Sequence, residues 1–306
     1  ASHGLPMVPF YIYYSMFGMQ RIGDLVWAAA DMRTRGFLVG GTAGRTTLAG
    51  EGLQHQDGHS HVLALPVPNL KCYDPAWAYE MAVIIQDGIR RMFQEGEDIF
   101  YYITVGNENY PMPPRPKGRG VVEGILKGMY LFRPAPRQGK FRHRVQLLGS
   151  GAILNECLKA QQMLAEEFET AADVWSVTSY KELRVDALAA DRWNMLHPGS
   201  PPRKPFVTRQ LEKSEGPVIA ASDYMKILPD GLSRWIPRTL VSLGTDGFGR
   251  SECREALRDF FEVDARFITL GALTGLYRDG KLSADKVRQA MRHLKIPASK
   301  PDPWLS

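Results

Sequence analysis

The sequence predicts an α/β protein with a mainly parallel sheet, on three observations. Beyond residue 143, short apolar runs at 145–148, 174–177, 217–221 and 240–243 alternate with longer stretches of helical periodicity. The runs are apolar throughout rather than every second residue, as in strands covered by helices on both faces. A content of 44% hydrophobic and 23% charged residues provides for a core.

In chain order, residues 7–33 are apolar nearly all round and predict a buried helix with Pro9 near its start. Residues 36–41 (GFLVGG) read as a buried strand running into a loop. That loop extends from Gly40 to about His61. It carries six glycines, three histidines, two acids and one arginine, a length and polarity that compact domains keep for function. Asp74 and Pro75 read as the cap and first turn of an amphipathic helix through Met92, and Ile99 to Val105 as a strand. Residues 110–118, with four prolines in nine positions, read as a linker. The division predicted is 1–118 and 119–306. After it, helices are expected at 153–168, at 180–196, from Tyr224, from a Ser251 cap to Phe261, at 265–277 and from a Ser283 cap to Leu294. Only two strands are evident before the linker, too few to close a core. The first segment is therefore expected either to pack on the second or to belong to something larger.

Composition narrows the function classes. At 306 residues two domains are expected. Six Trp, 12 Tyr and 13 Phe argue against disorder, and no apolar run reaches the ~18 residues of a membrane helix. The net charge of +5 comes from scattered lysines and arginines with no nucleic-acid-binding signature, so no nucleic-acid partner is expected. Residues 1–6 show no secretory pattern, and Cys72, Cys157 and Cys253 are odd in number and far apart. Reduced, buried thiols in a cytoplasmic protein are expected.

The densest chemistry lies in Gly50 to His61. His55, His59 and His61 could ligate a metal, as in a hydrolase, but the spacing is no recognised metal motif and the glycines break any shared helix face. A solvated loop is the plainer reading. A loop orienting an organic substrate is the reading preferred, since imidazole donates to carbonyl and carboxylate oxygens. Gly40–Thr46 lacks a Walker ending and reads as a turn, with Arg45 as an anion contact in reserve. Tyr11, Tyr13, Tyr14 and Phe17 read first as core, and second as a surface on which a flat ring could stack. Residues 244–251 lie between a strand and a helix, where open α/β sheets place ligands.

These segments resemble the homodimeric bacterial pyruvate dehydrogenase E1 family. The match runs through PFYIYYSMFG at 9–18, GTAGRTTL at 41–48, GEGLQHQDGHS at 50–60, NENY at 107–110, RWNMLHP at 192–198 and LGTDGFGRS at 243–251. Transketolases are looser relatives. The resemblance implies the last part of a thiamine-enzyme pyrimidine-binding domain followed by a complete transketolase-like C-terminal domain. It implies thiamine diphosphate and Mg²⁺ as cofactors, with the Mg²⁺ ligands and the activating glutamate outside this sequence, so that no turnover by these residues alone is expected. It implies that Phe17 stacks on the aminopyrimidine, Tyr14 approaches bound pyruvate, His55 hydrogen-bonds its oxygens, and Glu51, His59 and Arg45 support the loop. It further implies a homodimer and acetyl transfer to a lipoyl-bearing E2 partner. A non-catalytic dimerisation or assembly module is the alternative from a different class.

Overall fold

The computed structural model describes Leu5, residues 7–118 and residues 120–306. Residues 1–4 and 6, which carry most of the leader reading, and Arg119, at the expected domain division, lie outside the described residues.

The first sheet is wholly parallel. Strand β1 (Phe10–Tyr14) is followed by helix α1 (Met19–Asp31), β2 (Phe37–Gly41), the short helix α2 (Ser60–Leu63), β3 (Leu70–Tyr73), α3 (Ala78–Ile89) and β4 (Phe100–Thr104). The strand order is β1-β2-β4-β3. The expected helix over 7–33 is corrected at its start. Residues 10–14 pair with β2 from Phe10↔Phe37 to Tyr14↔Gly41, because a run of aromatic and β-branched side chains suits a pleated edge better than a helix. Phe10 stacks on Phe37 at 4.6 Å and Tyr13 on Tyr102 at 6.2 Å. Gly18 is needed where β1 turns into α1, since a Cβ there would collide with the Tyr13 ring. Helix α1 is not buried all round either: Met19, Val26 and Ala30 face the core while Leu25 and Trp27 are exposed.

After the proline-rich stretch, which holds neither helix nor strand, come α4 (Val121–Lys127), β5 (Met129–Arg133), β6 (His143–Gly149), α5 (Leu154–Glu167), β7 (Thr170–Val177), α6 (Tyr180–Leu196), α7 (Phe206–Leu211), β8 (Val218–Ala221), α8 (Ile227–Asp230), β9 (Leu240–Leu243), α9 (Arg254–Phe260), α10 (Ala265–Arg278) and α11 (Ala284–His293). The second sheet runs β5-β7-β6-β8-β9, parallel except for the edge strand β5. Residues of α5 and α10 pack on one face and those of α6 and α7 on the other, the two-sided cover that all-apolar strands require. The α/β class with a mainly parallel sheet therefore holds.

Three local expectations change. Asp74 does not cap α3; the helix begins at Ala78, and the Glu80 carboxylate accepts the Ala76 and Trp77 amides at 2.7 and 3.1 Å. Ser251 does not cap α9, which starts at Arg254. The thiols of Cys72 and Cys157 are buried as expected, whereas Cys253 is exposed. The Ser283 cap is present, its side chain accepting from the Lys286 amide. The two sheets share their packing: Ile125 and Tyr130 enter the first core, while Ala76 and Trp77 enter the second.

Candidate functional site

The loop between β2 and α2 leaves the carboxyl end of its strand, close to the end of β1, where open parallel sheets expose groups to ligands. Tyr14 is the last residue of β1, and Phe17 follows in a 3₁₀ turn over Ser15–Phe17. His55 ends a second 3₁₀ turn, Leu53–His55. Two segments about 40 positions apart thus converge. The His55 ring lies 5.3 Å from Tyr14 and 5.1 Å from Phe17, and Tyr14 and Phe17 are 6.1 Å apart, all edge-to-face. Tyr14 is 53% exposed, and Phe17 and His55 are partly so, which places this cluster on the surface rather than in a core. The Arg21 guanidinium sits 4.3 Å over the Phe17 ring.

The remaining polar residues of the loop hold it in place. His59 Nε2 meets Gln20 Oε1 at 2.6 Å, tying the loop to α1. Burial lowers the pKa of His59, with Asp57 opposing the shift. Asp57 Oδ1 accepts the His59 and Ser60 amides at 3.0 and 2.8 Å, an Asx turn that starts α2. Arg45 is buried and points inward, its guanidinium donating to the Thr245 carbonyl. Burial pulls the Arg45 pKa down, against the raising effect of Asp57, Asp223 and Asp246. An anion contact by Arg45 is not what the structure shows; the side chain is a strut between the sheets. Glu51 is half-buried beside the turn, with Oε2 sealed from solvent and unpartnered among the described residues.

The second sheet clamps this loop. The Arg250 amide donates to Gln56 Oε1 at 2.7 Å, the Gly50 amide to the Glu252 carbonyl at 3.1 Å, and Arg254 Nε to the Thr47 carbonyl at 2.6 Å. Asp223, which follows β8, accepts the Thr46 amide. Gly44 is required at that contact: its φ is +90°, and a Cβ would press on the Asp223 carboxylate. Residues 244–251 therefore act as a brace for the loop. Asp57, Gln56 and Asp223 were not singled out from the sequence. An aspartate two residues before a histidine–serine pair signals Asp57, whereas Asp223 has no local signal.

The three histidines do not converge. His61 is buried, bonds Thr104 Oγ1 at 2.9 Å, and has its pKa pushed down to about 4 by burial. His59 is engaged with Gln20 and His55 with the two aromatic rings. Among the described residues no group of three His, Cys, Asp or Glu side chains is placed to hold a metal, which removes the geometric basis of the metal-hydrolase reading. No helix among them is long and apolar enough to cross a membrane.

Comparison with known proteins gives the context. Residues 1–113 match the pyruvate dehydrogenase E1 component middle domain family. Residues 128–264 match the transketolase-like TK C-terminal domain family. The pyruvate dehydrogenase E1 component of Pseudomonas aeruginosa is 54% identical over 99% of this chain, and that of Escherichia coli K12 is 49% identical over 100% of it. In both cases the match covers 34% of the relative, so the chain spans about a third of their length. Transketolase from Leishmania mexicana superposes with a TM-score of 0.65 at 17% identity, covering 89% of this chain and 34% of that one. A split-gene transketolase described as an inactive β4 tetramer gives 0.60 at 18% identity, covering 88% and 77%. At such identities these structures show a shared fold.

Proposed function

We propose that this chain, whose residues 1–113 match the pyruvate dehydrogenase E1 middle-domain family and 128–264 the transketolase-like C-terminal family, supplies one wall of a thiamine diphosphate pocket in an E1 enzyme that decarboxylates pyruvate and passes the acetyl group to a lipoyl-bearing E2 partner. The observation that carries this reading is the solvent-facing cluster of Tyr14, Phe17 and His55, drawn from two distant segments and braced by a third. When bound, thiamine diphosphate supplies the electron sink for decarboxylation.

The residues present fit such a group. Phe17 offers a partly open aromatic ring to a flat heterocycle. Tyr14 presents a hydroxyl at a strand end, and His55 an imidazole free to donate to, or take a proton from, an oxygen of bound pyruvate. His59, through Gln20, and Arg45, through the Thr245 carbonyl, keep the loop in register, with Glu51 proposed as a further support, so His55 is held rather than searching. Mg²⁺ is assigned to none of the described side chains. These 306 residues alone are proposed to give no pyruvate turnover, because they amount to a third of a relative's length and to one wall of the pocket.

A homodimer is part of the proposal. The β1 edge and α1 leave Tyr11, Ile12, Leu25 and Met32 exposed beside an apolar groove of about 300 Å³, a surface suited to further polypeptide. The same surface is what would support the assembly-module alternative. The division at 118/119 is proposed as a change of sheet rather than of core, and a cytoplasmic location goes with the activity.

The test is a chimera in which this sequence replaces the corresponding third of the Pseudomonas aeruginosa relative. Pyruvate oxidation is followed with an artificial electron acceptor, thiamine diphosphate and Mg²⁺. The chimera is expected to turn over and the Tyr14→Ala/Phe17→Ala/His55→Ala triple variant to be inactive while folded. A folded triple variant with unchanged turnover overturns the reading in favour of an assembly module.

A further inference from the structure

Strand ends from both sheets meet around a second cavity, of about 190 Å³, lined by none of Tyr14, Phe17 or His55. Strand β3 hands the chain to Asp74, β4 to Val105 and Gly106, β6 to Gly151, and β8 to Asp223 and Tyr224, and all of these line it. Carboxyl ends of parallel strands are the usual ligand positions of α/β sheets.

The walls have a definite chemistry. Asp74 and Asp223 bring two carboxylates whose hydrogen-bond donors are neutral, Thr104 Oγ1 at 2.8 Å for Asp74 and the Thr46 amide at 3.0 Å for Asp223. A third carboxylate, Glu108, is satisfied by Arg258, whose charge is shared with Glu156. Trp77, Tyr110, Met81 and Met112 supply aromatic and thioether surface. One lining side chain keeps an unused hydrogen-bond acceptor away from water: the hydroxyl oxygen of Tyr224, which is 1% exposed. Buried polar atoms are rarely left without a partner, so the space is suited to an occupant that offers one.

We propose that this interdomain cavity binds a small alkylammonium ion, its charged head by Asp74 and Asp223 and its stem against Trp77, Tyr110 and the methionines. Charge calls for a cation: two carboxylates face the space without a cationic hydrogen-bond partner. Size and lining call for an organic one, since no metal-holding trio is present among the described residues and aromatic walls favour ammonium over a bare ion. Burial pushes the Asp74 carboxyl up to about 6 and that of Asp223 up to about 7, the latter against the opposing charge of Arg258. The inference stands apart from the thiamine reading. The ammonium can come from a free amine or from a lysyl side chain.

Calorimetric titration of this chain with n-butylammonium chloride, n-butanol and Nα-acetyl-lysine amide tests the site. Butylammonium is expected to bind at about 1 mM or tighter and butanol at least about tenfold more weakly. Asp74→Asn, which keeps the shape and removes the charge, and Ala78→Phe, which fills the cavity from its exposed rim, should each weaken the ammonium about tenfold or more. Binding of the lysine derivative at least as tightly supports the site and assigns a protein side chain as the source; its failure beside bound butylammonium supports a free amine. Equal binding of butanol and butylammonium overturns the proposal. If Asp74→Asn does not fold, Ala78→Phe decides, and unchanged affinity in it overturns the proposal as well.

Discussion

His55 and His61 lie six positions apart on one loop and are built in opposite ways. His55 stands at the surface among aromatic edges. His61 is sealed beneath it, bonded to Thr104 and packed edge-on to Tyr224 at 4.7 Å, with its proton affinity reduced by burial. One is partly open to solvent, and the other fills a core. The difference comes from where the chain turns. The Asx turn at Asp57 sends the residues after it into α2 and the interior, while the 3₁₀ turn before it keeps His55 outside. Residue type and spacing do not report this; the packing around each imidazole does.

Substitutions can break or sharpen the contrast. The largest effect is expected from His55→Ala in the chimera: turnover falls ~10²-fold or more, with the urea midpoint unchanged. A loss of stability without a specific loss of rate would make His55 another His61. His61→Ala should do the reverse in this chain, costing about 2–3 kcal/mol in denaturant unfolding, because it empties a buried site and removes the bond to Thr104. Phe17→Ala should weaken thiamine diphosphate binding by the chimera about tenfold, read by fluorescence titration. An unchanged affinity would return Phe17 to a packing role.

The smallest effect is on pH. Asp223 and Asp74 have folded values of about 7 and 6 against an ordinary 3.8, so the folded state holds their protons more tightly. The stability they contribute is present below about pH 4 and lost as pH rises through those values. His61, pushed down to about 4 from 6.5, acts oppositely, adding stability as pH rises across that interval. Above pH 6.5 the histidine contribution is complete, and the Asp223 carboxyl dominates among these three. The Tm of this chain is therefore expected to fall between pH 6.5 and 8, and Asp223→Asn to flatten that fall, checked by calorimetry in matched buffers. An unaltered slope in the variant would assign the dependence to other groups.

Much of the fold was legible. The second sheet was readable because its strands are apolar runs of ordinary length between periodic helices, and the Ser283 cap announces α11 by a local bond. The strands β1, β3 and β5 escaped for a shared reason. Each is a short run at a sheet edge: exposed side chains blur the pattern in β1 and β5, β3 offers only four residues, and β1 abuts a helix of similar composition.

By itself the sequence determined the α/β class, the location of the polar loop and, through motif resemblance, which loop residues to watch. Those are properties of local composition and order, and they survive without knowledge of what packs on what. Only the tertiary structure decided that Tyr14, Phe17 and His55 share a surface, that Arg45 serves as an inward strut, that His61 belongs to the core, and that Asp74 faces Asp223's side of a common cavity. Each of these depends on contacts between segments tens to hundreds of positions apart. Burial and long-range hydrogen bonding set the chemistry of a side chain there, and neither is written in its immediate neighbours.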